Sequence, residues 1–352
     1  MPSLLTEKTT EVRSMLIIHQ GAIGDFILAL PALKTLRKAF PQAKAVVMGY
    51  PRILELVERR YYADEILSVD QRGFASFFVR GGDLDPVLSQ FFATFDLLVV
   101  FGKDEEGPVV GNLKRVSQGE VIHVKSFLPS GERTHLADHL VRELARYGLP
   151  RDEKVPELYP KKSDQEWGIR FCKRKGLTEE EKSKAVVVHP GSGSKKKVWP
   201  LERFVELTRY IEKKSRARIL IILGPAEGPE VQSAFEQIAW EKGPEAPLLV
   251  KGLSLLGLAS VIQGCRLFIG NDSGISHLAA ALKVPTLAIF GATDHKVWAP
   301  RGERVVVARA KMECSPCSEE KFFQCQTADC MKRVEMEDVL RALDRLGYGQ
   351  SF

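Results

Sequence analysis

Residues 267–291 read LFIGNDSGISHLAAALKVPTLAIFG. The apolar run at 267–269 stops at Gly270-Asn271-Asp272-Ser273-Gly274, a small-residue helical pattern follows over 275–282, and a second apolar run covers 286–290. Strand, polar glycine turn, helix, strand is a recipe for an anion site. The first N–H groups of a helix lack intrahelical partners, the dipole favours negative charge there, and glycine lets a ligand approach the backbone. His277 lies three residues after Gly274 and so shares a helix face with the mouth of the turn. A phosphate would repel Asp272, so this carboxylate is expected to cap the helix or to accept from a sugar hydroxyl. On these residues alone, a purely structural turn is the alternative.

Outward from this stretch the chain alternates strands and helices. Apolar runs predict strands at 15–19, 43–48, 95–101, 184–189, 218–224 and 248–250. Helical patterns fall at 26–40, with Pro31 as a break or kink, and at 53–60 and 135–147. They return at 165–175, 201–213, 230–240, 255–263 and 336–346. Runs such as FDLLVVF imply strands buried on both faces, and the alternation implies two doubly wound, parallel α/β domains. The stretch 149–163, LPRDEKVPELYPKKS, carries three prolines among many charges and is the linker candidate. The expected division is an N-terminal domain over 1–160, a second over 161–330, and a C-terminal helical piece over 331–352.

A chain of 352 residues fits two domains, and its 44% hydrophobic and 27% charged content is that of a globular protein. No apolar run approaches the ~18–20 residues of a membrane span, and the first fourteen residues lack the apolar core of a secretory signal, so a cytoplasmic chain is expected. The net charge of +6 suits an anionic ligand or the inner membrane face. Nucleic acid is not expected as a partner, because no recognition-helix motif or aromatic-interleaved basic stripe occurs. Four of the six cysteines, Cys314, Cys317, Cys325 and Cys330, fall in one segment. They could hold a structural tetrahedral zinc or stay as reduced thiols, while Cys172 and Cys265 read as small core residues.

In two facing domains, ligands belong at the strand-end loops bordering the cleft, and three loops qualify. The first, His19-Gln20-Gly21-Ala22-Ile23-Gly24-Asp25, lacks both the G-x-G-x-x-G spacing and an acidic end to the next strand, so a nicotinamide site is not supported. It leaves Asp25 at a glycine turn, as a helix cap or as a general base for an alcohol. The second, 189–200, joins Ser192, Gly193 and Ser194 to Lys195-Lys196-Lys197, groups that suit a diphosphate although the order is not that of a Walker A loop. The third is the turn at 270–274. Glu227, at another strand end, could accept from ribose hydroxyls. Asp83-Leu84-Asp85 could bind a divalent cation but offers few ligands for one.

Together these residues resemble the heptosyltransferase family, glycosyltransferase family 9. The motifs are GAIGDFILALPAL (21–33), HPGSGSKKKVWPLERF (189–204), LGPAE (223–227) and GNDSGISHLAAALKVPTLAIFG (270–291). The four-cysteine segment also looks like one found in a subset of that family. The resemblance implies a GT-B fold of two Rossmann-like, doubly wound domains facing across a cleft, with the last helix packing back on the N-terminal domain. It implies inverting transfer of a sugar, heptose from ADP-heptose, onto the inner core of lipopolysaccharide or a related glycolipid, with no metal or other cofactor required for catalysis. By motif position, Asp25 resembles the base beside Gly24. Ser192, Gly193, Ser194 and Lys197 look like diphosphate contacts, with Lys197 offsetting charge on the leaving group. Glu227 and Leu253 resemble nucleoside contacts, and Asp272, Ser273, Gly274 and His277 the donor turn. Ser273 stands where threonine is common, and Gly193 offers only backbone where some members present a hydroxyl.

The reading is therefore a cytoplasmic glycosyltransferase, peripheral on the inner membrane, with a nucleotide-sugar donor and a glycolipid acceptor. The alternatives are a nucleotide-sugar epimerase of similar architecture and a non-catalytic nucleotide-sugar-binding protein. Arg59, Arg60 and the basic stretch at 301–309 are the candidates for contact with anionic lipid.

Overall fold

The structure, a computed structural model, describes residues 12–103, 107–129, 131–215, 217–224, 227–242 and 246–348. The chain divides into two compact units between Tyr159 and Pro160, inside the proline-rich stretch. Among the described residues no helix is long and apolar enough to cross a membrane.

The first unit holds five parallel strands: β1 (Ser14–His19), β2 (Lys44–Gly49), β3 (Glu65–Ser68), β4 (Leu97–Gly102) and β5 (Glu120–Lys125). Their order is β3-β2-β1-β4-β5, so the chain moves outward from β1 in one direction and then returns to its other side. β1, β2 and β4 carry nearly unbroken buried Leu, Ile, Val and Met, as a sheet covered on both faces requires. Helix Ile23–Ala39 leaves β1 and runs through Pro31 without the expected break. Phe26, Ile27, Leu28, Leu30, Leu33 and Leu36 are all buried there. At about 1.5–3 kcal/mol each, their burial outweighs the roughly 3 kcal/mol that an internal proline costs.

The helix expected over 53–60 shortens to Pro51–Leu54. Arg59 takes a left-handed φ of 51°, which a helix of L-residues cannot continue. The neighbouring Arg60 guanidinium donates to the carbonyls of Glu55 and Glu58. The end of the unit is tied down by Lys34, whose Nζ lies 3.2 Å from both Glu153 and Glu157, and by the Tyr62 hydroxyl, which donates to the Glu157 carbonyl at 2.7 Å.

The second unit holds six parallel strands: β6 (Val186–His189), β7 (Ile219–Leu223), β8 (Leu248–Lys251), β9 (Leu267–Asn271), β10 (Thr286–Ile289) and β11 (Val305–Ala308). The order β11-β10-β9-β6-β7-β8 places the reversal of direction between β6 and β9. Connections from these two strands diverge to opposite sides, which opens a crevice at their carboxyl ends; the first unit has its counterpart between β1 and β4.

The last helix, Met336–Arg345, packs on β10 and β11 and belongs to the second unit. The expected separate piece over 331–352 is thus, over its described residues 331–348, part of the second unit. The helix has one strongly apolar face, and Val339, Ala342 and Leu343 bury that face in the same core as Val186, Ile269 and Leu287.

Candidate functional site

Each motif loop read from the sequence leaves the carboxyl end of a strand. In the second unit, β6 and β9 are hydrogen-bonded neighbours, with His189 opposite Gly270, so the loops that follow them share the crevice. Asn271 stitches the two loops together. Its Oδ1 accepts from the Trp199 N–H at 3.0 Å, and its Nδ2 donates to the carbonyls of Pro190 at 2.7 Å and Gly191 at 3.3 Å. The Ser192 hydroxyl adds a bond of 2.7 Å to the Asp272 carbonyl. Asn271 carries no charge and lies inside the motif, so sequence reading passed over it; its strand-end position beside the turn was the available signal.

Lys197 Nζ lies 3.0 Å from Asp272 Oδ2, and the Thr293 hydroxyl donates to the same oxygen. The Asp272 side chain is 7% exposed and that of Lys197 27%, so the carboxylate is the buried anchor and the ammonium the end that meets solvent. Asp272 is therefore not the helix cap. Ser273 takes that place, its hydroxyl accepting from the Ser276 N–H at the start of helix Gly274–Ala281. The Asp272 carboxylate turns instead to Lys197 and Thr293. His277 is buried in this helix. Ser194 caps the short turn Lys195–Lys197 by accepting from the Lys196 N–H. Gly193 is exposed, and a Cβ built on it would meet nothing within 4 Å, so its backbone borders open space.

Glu227 is buried, and its Oε2 accepts from the Gly224 N–H at the end of β7. Its other oxygen lies against Gly191, where a Cβ would fall 1.5 Å from Oε1, so only glycine leaves room for this carboxylate. The buried His189 ring completes the cluster, its Nδ1 3.2 Å from the Ile222 carbonyl. Burial holds the pKa of His189 below the usual histidine value, against the opposing pull of the Glu227 carboxylate. Leu253 is half-buried just beyond β8. Pro225 and Ala226 of the LGPAE motif lie outside the described residues.

In the first unit the loop after β1 presents Gly24 and Asp25 in the first turn of helix Ile23–Ala39. Asp25 Oδ2 accepts from the Ala22 N–H at 3.1 Å, so the carboxylate does cap the helix start while staying half-buried. His19, at the end of β1, buttresses this loop. Its Nδ1 accepts from the Gly21 N–H at 3.2 Å, and burial lowers its pKa from 6.5 to about 4. Asp85 of the D-x-D pair is the N-cap of helix Pro86–Phe92, accepting from the Leu88 N–H at 2.9 Å.

The four cysteines lie in a segment docked on the core of the second unit, where Cys330 is buried, Cys317 and Cys325 half-buried and Cys314 exposed. Burial and then the charge of Cys317 push the Cys330 thiol up to about 11. The Cys325 thiol is held below its usual range by the N–H groups of Ala328 and Thr327. The thiols thus feel one another, yet among the described residues no three His, Cys, Asp or Glu side chains converge as a metal-holding group.

Comparisons with known proteins agree with this geometry. Residues 134–326 match the family model of glycosyltransferase family 9 (heptosyltransferase). The chain is 22% identical over 299 residues to lipopolysaccharide heptosyltransferase 3 of Escherichia coli K12, covering 80% of this chain and 84% of that protein. Among solved structures it resembles a family 9 glycosyl transferase from Veillonella parvula, with a TM-score of 0.76 at 20% identity over 95% of this chain and 97% of the other. An E. coli heptosyltransferase solved with ADP gives a TM-score of 0.63 at 17% identity, over 88% of this chain and 98% of that one. The two Rossmann-like units are those of a GT-B fold, and the chain belongs to glycosyltransferase family 9, the heptosyltransferases.

Proposed function

We propose that the protein is an inverting heptosyltransferase of lipopolysaccharide inner-core assembly, which takes its sugar from ADP-heptose and works at the cytoplasmic face of the inner membrane on a glycolipid acceptor. The observation that carries this reading is the convergence, at the β6/β9 switch point, of the Lys197 ammonium, the Ser192–Ser194 loop and the start of helix Gly274–Ala281. Lysine, serine hydroxyls and unpaired helical N–H groups are what a nucleoside diphosphate needs. Glu227 and Leu253, beyond the neighbouring strands, would take the ribose and base.

In this reaction Asp25 removes the proton from the acceptor hydroxyl. The oxygen attacks the anomeric carbon from the face opposite the diphosphate, the carbon–oxygen bond to the leaving group breaks, and the configuration inverts. Charge gathers on the departing ADP, where Lys197 and the N–H groups of the donor turn offset it. No step in this reading needs a metal, and metal analysis of purified protein distinguishes a structural zinc on the four cysteines from reduced thiols.

The test is a screen of nucleotide sugars for acceptor-dependent ADP release, followed by Asp25→Asn. That variant should lose turnover by at least about 100-fold while binding donor nearly as the parent does. Turnover comparable to the parent removes Asp25 as the base. Sugar interconversion without acceptor points to an epimerase, and binding without release to a silent binder.

A further inference from the structure

The turn Lys195–Lys197 faces two ways. Lys197 reaches Asp272 in the donor turn, whereas the neighbouring Lys196 reaches the cysteine-bearing segment. Its Nζ donates to the carbonyls of Phe322 at 2.6 Å and Phe323 at 2.8 Å, and lies 5.3 Å from the Phe322 ring centroid. Both carbonyls fall at the end of helix Glu319–Gln324, where they lack intrahelical partners and the helix dipole favours a cation.

The same segment also grips the other side of the site. The Cys317 N–H donates to the Ala292 carbonyl at 2.7 Å, and the Ser315 hydroxyl donates to the Gly291 carbonyl. A Cβ on Gly291 would lie 2.4 Å from Met331 Sδ and 3.0 Å from Cys330 Sγ, so backbone and segment are in close contact. Thr293, which donates to Asp272, follows directly. The segment therefore meets the Lys197–Asp272 pair from both of its ends, through Lys196 and through the strand end that carries Thr293.

We propose that Lys196 is a positioning residue: it clamps the turn to the cysteine-bearing segment so that Lys197 is presented to a nucleoside diphosphate, and the segment thereby sets donor affinity. This rests on the donor reading above. Lys196 touches no reacting atom; it ties the three-residue turn to the segment, in addition to the Ser194 cap, the turn's own backbone bonds and the Lys197–Asp272 pair.

The experiment is calorimetric titration of the full chain with ADP, beside thermal melting. Lys196→Met should weaken ADP binding about tenfold, as expected for losing two charge-assisted hydrogen bonds. Lys196→Arg, which can still donate to both carbonyls, should bind within about threefold of the parent. Lys195→Met removes the same charge from the exposed neighbour and should cost less than about twofold, because a solvated charge is screened. The melting temperature should stay within about 2 °C in all three, as for a surface contact. An unchanged affinity in Lys196→Met, an equal loss in Lys195→Met, or no rescue by arginine overturns the proposal and leaves the donor reading intact. A parent protein that does not bind ADP overturns both.

Discussion

Replacing His19 by asparagine should make the first unit markedly less sensitive to acid. His19 is buried at the end of β1, with its ring 5.3 Å from that of Phe26 and 5.9 Å from that of Phe101. Burial lowers its pKa from 6.5 to about 4, so in this window the unfolded chain binds a proton that the folded one refuses. Stability is complete above the unfolded value and falls as pH drops toward the folded one. The whole shift is worth about 3 kcal/mol, of which about 2 kcal/mol falls between pH 7.5 and 5.0. Asparagine does not titrate, and its side-chain oxygen can accept the Gly21 N–H that Nδ1 accepts now.

Urea unfolding at the two pH values provides the assay. All four tryptophans follow residue 159, so their fluorescence reports the second unit, which holds the other low-pKa histidine, His189. Far-UV circular dichroism reports both units. The loss of stability on acidification, followed by dichroism, should shrink by about 2 kcal/mol in His19→Asn, with the fluorescence transition unmoved. Any constant packing penalty of the variant cancels in the difference between the two pH values. An undiminished acid penalty would refute the assignment of a neutral, buried His19.

Gly191→Ala should drive the Glu227 carboxylate from its seat, because the new methyl would lie 1.5 Å from Oε1. Overpacking costs about 1–3 kcal/mol, so ADP binding should weaken by at least about tenfold while circular dichroism stays native. Gly168→Ala should destabilise the second unit by about 2 kcal/mol in urea titration, since its Cβ would lie 2.0 Å from the Ser260 carbonyl oxygen on helix Leu255–Ile262. Alanine's better helix propensity, about 1 kcal/mol, recovers only part of that. Lys197→Ala should weaken ADP binding and slow turnover together, and unchanged kinetics would mark it as a solvated lysine.

The parallel α/β class was legible because β1, β4, β6 and β9 are unbroken apolar runs that only a sheet covered on both faces can accept. The strand-end turns were equally plain, since glycine, serine and aspartate interrupt those runs abruptly. The edge strands β3, β5 and β11 escaped because strands at a sheet edge carry a weaker apolar signal, and helices Pro86–Phe92 and Pro108–Val116 escaped because they are short. Pro31 does not end its helix for a related reason: local propensity carries no information on the burial that surrounds it.

The sequence by itself determined which residues make up the candidate site, Ser192, Lys197, Asp272 and Ser273 among them, because hydrophobic periodicity and turn chemistry are local properties. The pairing of Lys197 with Asp272, the choice of Ser273 as the cap, the stitching by Asn271 and the docking of Lys196 on the cysteine-bearing segment were decided only by the tertiary structure. Each joins residues whose separation in the chain is unrelated to their separation in space. Strand order brings β9 beside β6, and that adjacency is fixed by how the whole sheet buries its faces rather than by either loop.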